Sequence, residues 1–130
     1  MSRFLSAALA ATAFIAVSQP AAAAEFKAFD RATFDAAQKA GRPILIEVNA
    51  WWCPVCSSQS RTIKATVAAP AYANLLVLRI NYDKQKSEWK AFGVQKQSTL
   101  ITFKGGRELG RLSYITDKAK IQALLATTIR

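Results

Sequence analysis

The chain has 130 residues, of which 18 are Lys or Arg, 8 are Asp or Glu and none is His, giving a formal net charge of +10 at pH 7. The absence of histidine excludes Ser-His and Cys-His catalysis and the two-histidine zinc motif of helical metalloproteases. The basic residues are scattered and form no arginine-rich run, so we expect a solvated charged surface and no nucleic-acid partner.

The first 24 residues have the pattern of a secretory signal peptide. Basic Arg3 precedes an apolar stretch over 4–17, and four alanines end the segment. The apolar stretch is shorter than the roughly 20 residues that span a bilayer. We therefore predict an exported protein that loses its leader, residues 1–24, by cleavage before Ala24 or Glu25. A retained N-terminal anchor is the alternative.

Residues 25–130 are predicted to form one domain around a single hydrophobic core. The first half of this region is predicted to contain a helix over 31–40 capped by Asp30, an apolar strand over 44–48 and a helix from the cysteine pair to about residue 67. A strand over 75–80 and a short helix to about residue 92, capped by Asp83, follow. The last elements are strands over 100–103 and 107–112 and a helix capped by Thr116 or Asp117.

Two connections determine how the strands pair. The strand, helix and strand over 44–80 form a βαβ unit, whose two strands are parallel. The dipeptide Gly105-Gly106 supplies the positive φ angles of a two-residue hairpin turn, so the last two strands pair antiparallel. The sequence therefore predicts an α/β fold with a mixed sheet.

The only two cysteines, Cys53 and Cys56, are separated by Pro54 and Val55. Where such a pair opens a helix, the N-terminal end of the helix favours the thiolate form of the first cysteine. The second cysteine, one helical turn later, can attack a mixed disulfide that the first one forms. A structural disulfide is the poorer interpretation, because closing so short a loop removes little entropy from the unfolded chain. The pair therefore predicts thiol–disulfide exchange.

These residues and the order of the elements resemble the thioredoxin superfamily over essentially all of residues 25–130. The most specific match is the aromatic-Cys-x-x-Cys motif between a buried strand and a helix, and the segment 92–106 resembles the family's later segment ahead of its hairpin. The resemblance implies a thioredoxin-like α/β fold, with a central mixed sheet of four to five strands flanked by helices on both faces. The leader and the first helix look most like small exported proteins that handle disulfides in the periplasm; outside Gram-negative bacteria such a protein would be secreted.

The resemblance also implies a role for Glu47, which lies six residues before Cys53, where thioredoxins carry a buried acid. Such an acid exchanges a proton with the second cysteine, here Cys56. Arg79 occupies the position from which a basic residue would pair with Glu47. The alternative is that Glu47 only makes hydrogen bonds at a strand edge.

The resemblance implies that Trp52, Pro54, Gln97 and Ser98 bind substrate. Trp52 matches the family tryptophan whose flat surface receives the client protein. Ser98 stands where thioredoxins have a cis-proline opposite the cysteine pair. Because a non-proline cis bond costs about 3 kcal/mol, Ser98 either keeps a strained cis peptide or is trans and reshapes the groove. The alternative is an inert loop residue.

The leading hypothesis is a thiol:disulfide oxidoreductase in which Cys53 attacks, Cys56 resolves and no metal or organic cofactor is needed. Two features favour a reductase over an oxidase: the dipeptide between the cysteines lacks the histidine common in strong oxidases, and the chain lacks the helical insertion of the large periplasmic oxidases. The resemblance implies client proteins with disulfides or oxidised thiols, a membrane-bound electron donor, and a monomer. The alternative is a Cu(I)-handling or other metal-binding protein that uses the two sulfurs without redox catalysis. A non-catalytic module with a vestigial cysteine pair would leave the buried acid unexplained.

Overall fold

The computed structural model describes residues 15–18 and 23–130. In chain order its elements are β1 (Glu25–Ala28), α1 (Arg31–Lys39), β2 (Ile44–Asn49), α2 (Pro54–Val67), β3 (Leu76–Asn81), α3 (Lys86–Ala91), β4 (Thr99–Lys104), β5 (Arg107–Ser113) and α4 (Lys118–Ala126), with short 3-10 turns at Pro70–Tyr72 and Thr127–Ile129. The predicted leader, residues 1–24, falls largely outside the described residues. Among the residues that are described, no helix combines the length and apolarity needed to cross a membrane.

The five strands form one mixed sheet in the order β1-β3-β2-β4-β5. β3 pairs parallel with both β1 and β2. β4 pairs antiparallel with both β2 and β5. The predicted parallel βαβ unit and antiparallel hairpin are both confirmed, and the strand count is at the upper end of the predicted four to five.

The core lies on both faces of the sheet because alternate residues of a strand point to opposite sides. Ile44, Ile46 and Val48 of β2 pack in the cluster covered by α1 and α3. Leu45 packs in the cluster covered by α2 and α4. Glu47 lies on the same side as Leu45 and is also buried. β2 therefore carries an acid into the interior directly below α2.

The structure confirms two of the predicted N-caps and the predicted hairpin turn. The carboxylate of Asp30 accepts the Thr33 N–H before α1, and that of Asp117 accepts the Lys120 N–H before α4. Both residues of the Gly105-Gly106 turn have positive φ, as the tight turn requires.

The prediction that Asp83 caps the helix after β3 is wrong. α3 begins at Lys86, with Gln85 as its N-cap residue. The Asn81 side chain accepts the backbone N–H groups of Asp83 and Lys84, and this local turn delays the start of the helix. The carboxylate of Asp83 is thus left free to bind elsewhere.

β1 has no counterpart among the predicted elements. It is a four-residue strand at the edge of the sheet, and its last three residues are exposed. Phe26 remains 44% exposed. The segment alternates polar and apolar residues, but four residues are too few for this alternation to distinguish a strand from a loop.

Candidate active site

The cysteine pair lies where β2 leads into α2. Cys53 is the N-cap residue of α2, and its sulfur accepts a hydrogen bond from the Cys56 N–H at 3.1 Å. Pro54 follows as the first helical residue, a position at which its missing N–H breaks no helical hydrogen bond. Both cysteines are unbridged and buried, Cys53 being 2% and Cys56 1% exposed. The sequence places the two sulfurs side by side, as predicted.

The hydroxyl of Ser98 contacts both sulfurs. Its Oγ lies 3.0 Å from the Sγ of Cys53 and 3.0 Å from the Sγ of Cys56. The described residues contain no cis peptide bond, so the Gln97–Ser98 bond is trans. Of the two predicted alternatives, the trans peptide is therefore the one that the structure adopts. Ser98 is fully buried behind the sulfurs, whereas Gln97 is half-buried beside it.

The backbone around Ser98 is held by contacts to β2, to α2 and to the loop that follows β5. The Ser98 N–H donates to the carbonyl of Val48, and the Ser98 carbonyl accepts from the Tyr114 N–H. The Gln59 side chain donates to the same carbonyl at 3.0 Å and to the carbonyl of Ile115 at 2.9 Å. Ser98 has a φ of +64°, a left-handed conformation that is strained for a residue other than glycine. These hydrogen bonds hold the hydroxyl against the sulfurs in spite of that strain.

Gln59 is a positioning residue that the sequence interpretation misses. It is 1% exposed, and it lies one helical turn after Cys56 on the buried side of α2. The available signal was a glutamine at helical spacing from Cys56 and Ile63, because buried amides are nearly always hydrogen-bonded to a specific partner.

The two cysteines differ in how readily they ionise. Burial raises the pKa of Cys53, but hydrogen bonds from the Cys56 thiol, the Ser98 hydroxyl and the backbone N–H groups of Cys56 and Val55 outweigh it and lower the pKa overall. Burial raises the pKa of Cys56, and the neighbouring Cys53 raises it further, more than the Ser98 hydroxyl and the Ala50 backbone lower it. Cys53 therefore ionises more readily than Cys56 and is the candidate nucleophile of the pair.

The predicted pairing of Glu47 with Arg79 is confirmed. The two residues are directly opposite in the β2–β3 register, and the Nε and Nη2 of Arg79 each donate to a carboxylate oxygen at 3.1 Å. Ser60 of α2 donates to the same carboxylate at 2.5 Å. Glu47 itself is 2% exposed. Its polar partners are thus Arg79 and Ser60, and proton exchange between Glu47 and Cys56 stays a prediction.

Trp52 and Pro54 lie at the surface next to Cys53. Trp52 is 46% exposed, and its indole N–H donates to the carboxylate oxygens of Asp83 at 3.1 and 3.3 Å. Its ring lies edge-on to the ring of Tyr82, and the two ring centroids are 6.3 Å apart. Asp83 therefore fixes the orientation of the tryptophan beside the nucleophile instead of capping α3.

A metal ion at this site would meet the two sulfurs and the Ser98 hydroxyl. Across residues 15–18 and 23–130, no three or more His, Cys, Asp or Glu side chains are grouped so that they could hold a metal.

Comparison with known proteins identifies the family. The family model described as thioredoxin matches residues 25–127. The chain belongs to the thioredoxin family. Among solved structures, Trxlp from Edwardsiella tarda is 37% identical with a TM-score of 0.75, and the match covers 78% of this chain and 98% of that one. The thioredoxin of Malassezia sympodialis is 18% identical with a TM-score of 0.71, covering 82% and 95%, and shows the shared fold.

Sequence relatives agree with this assignment. A thioredoxin from Alicyclobacillus acidocaldarius is 29% identical over 99 residues, which is 76% of this chain and 93% of the relative. Protein disulfide-isomerase erp38 from Neurospora crassa is 30% identical over 102 residues, or 68% of this chain and 28% of that longer protein. With Cys53 and Cys56 in place, this member of the thioredoxin family is a thiol:disulfide oxidoreductase of the kind that acts on protein disulfides. Family membership favours this function over metal binding without redox catalysis.

Proposed function

We propose that this thioredoxin-family protein acts in the reducing direction, in an exported compartment, on disulfides of client proteins. In this proposal the Cys53 thiolate attacks a client disulfide and Cys56 then resolves the mixed disulfide. The exposed Trp52 and Pro54, with Gln97 beside them, receive the client chain. A membrane-bound partner reduces the resulting Cys53–Cys56 disulfide, and the protein works as a monomer.

The observation that carries the proposed direction is the burial of both sulfurs. Whether a dithiol gives up electrons depends on how well the protein stabilises the thiolate relative to the disulfide. Burial disfavours the thiolate and is the largest single influence on the pKa of Cys53 and of Cys56. The dipeptide between the cysteines, Pro54-Val55, adds no charge that would offset it. The hydrogen bonds to Cys53 outweigh its burial, so the reducing direction is carried by Cys56, whose thiolate gains no net stabilisation.

The direction is tested by the reduction potential. The protein is equilibrated in glutathione buffers of known ratio, and the fraction of Cys53–Cys56 disulfide is measured by thiol alkylation and mass spectrometry. A reductase is expected nearer to about −270 mV, the value for thioredoxin, than to about −120 mV, the value for a strong oxidase. A value close to that of the strong oxidase would overturn the proposed direction and leave the exchange chemistry intact.

The clients and the donor are tested by trapping. Cys56→Ser, expressed with its own leader, removes the resolving thiol and should accumulate mixed disulfides on Cys53 that mass spectrometry can identify. Cys53→Ser in the same background is the matched control and should accumulate none. If Cys56→Ser captures no protein and the wild-type protein reduces no protein disulfide, the proposed function is overturned.

Export is tested by the N-terminus of the protein recovered from the exported fraction. Cleavage by signal peptidase predicts a mature chain that starts at Ala24 or Glu25. A membrane-bound chain that still carries residues 1–23 would support the retained anchor instead.

A further inference from the structure

The Ser98 hydroxyl can bridge the two sulfurs only by donating to one and accepting from the other. A serine hydroxyl has one proton, and its oxygen has two acceptor lone pairs. Its Oγ is 3.0 Å from each Sγ. For the relay, with Cys53 as the thiolate and Cys56 as the thiol, the single S–H proton of Cys56 turns from the Cys53 sulfur to Oγ, while the O–H of Ser98 donates to the sulfur of Cys53. The three groups form a continuous hydrogen-bonded chain along which a proton can move.

We propose that Ser98 is a catalytic residue, a proton relay that carries the Cys56 proton to the departing client sulfur. The proposal rests on the oxidoreductase function and adds to it the route of the proton in the resolving step. It assigns this route to a hydroxyl in the loop before β4, at the position where the resemblance leads one to expect a proline.

In the resolving step, the proton transfer accompanies the exchange of the disulfide bond. In the mixed disulfide, Cys56 Sγ forms a bond to Cys53 Sγ while the bond between Cys53 Sγ and the client sulfur breaks. The client sulfur leaves with the bonding electron pair and takes the hydroxyl proton of Ser98, and Ser98 Oγ takes the proton of Cys56. The two cysteines are oxidised to a disulfide, the client sulfur is reduced to a thiol, and Ser98 is again a hydroxyl.

Glu47, which the resemblance assigns to the same proton, has its carboxylate engaged elsewhere. Its oxygens accept from Arg79 and from Ser60, and no cysteine is among its hydrogen-bond partners in the described chain. Ser98, by contrast, is fully buried, is fixed by its backbone hydrogen bonds to Val48 and Tyr114, and directs its hydroxyl at the reacting atoms.

Stopped-flow mixing of reduced wild-type protein with excess oxidised glutathione tests the relay. The attack by Cys53 depends on glutathione concentration and the resolution by Cys56 does not, so the two rates separate. Ser98→Ala and Ser98→Gly both remove the hydroxyl, and glycine also tolerates the positive φ, so a folding defect caused by strain would not affect both. Each variant is expected to slow resolution about tenfold or more at pH 7, with the difference shrinking at high pH where Cys56 ionises unaided.

Changing the leaving group separates a proton relay from a structural effect. Nitrothiobenzoate, supplied as its symmetric disulfide, is a far weaker base than glutathione thiolate and leaves without needing a proton. The Ser98 variants should therefore slow its release much less than that of glutathione. Ser57→Ala, on the exposed side of α2, is the matched serine control and should resolve both reagents at the wild-type rate.

Three outcomes would overturn the relay while wild-type exchange is intact. These are wild-type resolution in both Ser98 variants, equal slowing for both leaving groups at every pH, and slowing by Glu47→Gln without slowing by the Ser98 variants. If the wild-type protein itself exchanges with neither reagent, the function on which the relay rests is overturned first.

Discussion

Two polar clusters contact α2, and they differ in whether their hydrogen bonds change during the reaction. The sulfur cluster, at the first turn of α2, consists of Cys53, Cys56 and Ser98. The carboxylate cluster, one turn further along, consists of Glu47, Arg79 and Ser60. In the carboxylate cluster, a negative charge meets an opposite charge and a further hydroxyl donor. In the sulfur cluster, one hydroxyl bridges two sulfurs that change their protonation during the reaction.

This difference indicates that the two clusters contribute to different properties of the protein. Removing one partner of a buried pair leaves the other uncompensated and lowers folding stability. A hydrogen bond that is remade during turnover affects rates and redox equilibria instead. We therefore expect substitutions in the carboxylate cluster to change mainly stability, and substitutions in the sulfur cluster to change mainly rates and redox equilibria.

The largest effect is expected from Cys53→Ser, which removes the nucleophile. Reduction of a protein disulfide such as insulin should fall to the uncatalysed rate, because a serine hydroxyl at neutral pH does not attack disulfides. The reduced fold should persist, since the change is small in volume. Residual catalysis above background would mean that Cys56 can act as the first nucleophile, contrary to its raised pKa.

Glu47→Gln is expected to lower the free energy of unfolding by about 2 kcal/mol. Breaking a buried ion pair costs 3–5 kcal/mol, and the value here is reduced because the side chain of Arg79 is 42% exposed. Urea unfolding measures the change. Glu88→Gln, which breaks the more exposed pair with Arg31, is the matched control and should cost less than about 1 kcal/mol.

The Glu47→Gln variant should resolve mixed disulfides at a rate within about twofold of the wild-type rate, because the carboxylate cluster does not contact the sulfurs. This corresponds to a difference of roughly 0.4 kcal/mol in barrier height. Slower exchange near neutral pH, with the glutamine variant folded, would instead support the proton exchange between Glu47 and Cys56 that the family resemblance implies.

Much of this architecture could be predicted from local patterns. The apolar run of β2, the cysteine pair at the start of α2 and the carboxylate caps at Asp30 and Asp117 each depend on neighbouring residues in the sequence. The ion pair of Glu47 was accessible through the resemblance, because it follows from two adjacent strands in fixed register.

The hydroxyl contact to both sulfurs could not be predicted in the same way. It depends on the φ of Ser98, on a trans peptide and on the hydrogen bond from Gln59, all of which are properties of the folded chain. The bond from Trp52 to Asp83 was missed for a related reason, because an aspartate before a helical segment has the same sequence pattern as a cap. Residues at which local rules and tertiary contacts disagree are thus concentrated around the sulfurs.

Ser98→Ala is expected to slow the attack of Cys53 several-fold near neutral pH, a difference of roughly 1 kcal/mol. The hydroxyl lowers the pKa of Cys53 by stabilising its thiolate, so its removal raises that pKa and leaves a smaller fraction of thiolate at any pH below it. At higher pH, where Cys53 is fully ionised in both proteins, the variant should match or exceed the wild-type rate, because a thiolate with a higher pKa is the better nucleophile. Alkylation by iodoacetamide across pH measures this, and an unchanged midpoint would show that Ser98 does not donate to Cys53.

Ser98→Ala should also make the reduction potential of the Cys53–Cys56 couple more negative by about 30 mV. One hydrogen bond to a thiolate contributes about 1.4 kcal/mol, which corresponds to about 30 mV for a two-electron couple. Removing it destabilises the reduced form alone, so the variant becomes a stronger reductant that resolves its clients more slowly. A potential that becomes less negative would place the Ser98 hydrogen bond on the disulfide form instead.

In the reduced protein, Ser98→Gly should be more stable than Ser98→Ala by about 1 kcal/mol. Both variants lack the hydroxyl, but only glycine adopts a φ of +64° without strain, and its greater freedom in the unfolded chain offsets part of the gain. Ser57 in α2 is the matched position, where glycine should be less stable than alanine by about 1 kcal/mol. If alanine is also the more stable residue at position 98, the positive φ of Ser98 costs the fold no strain.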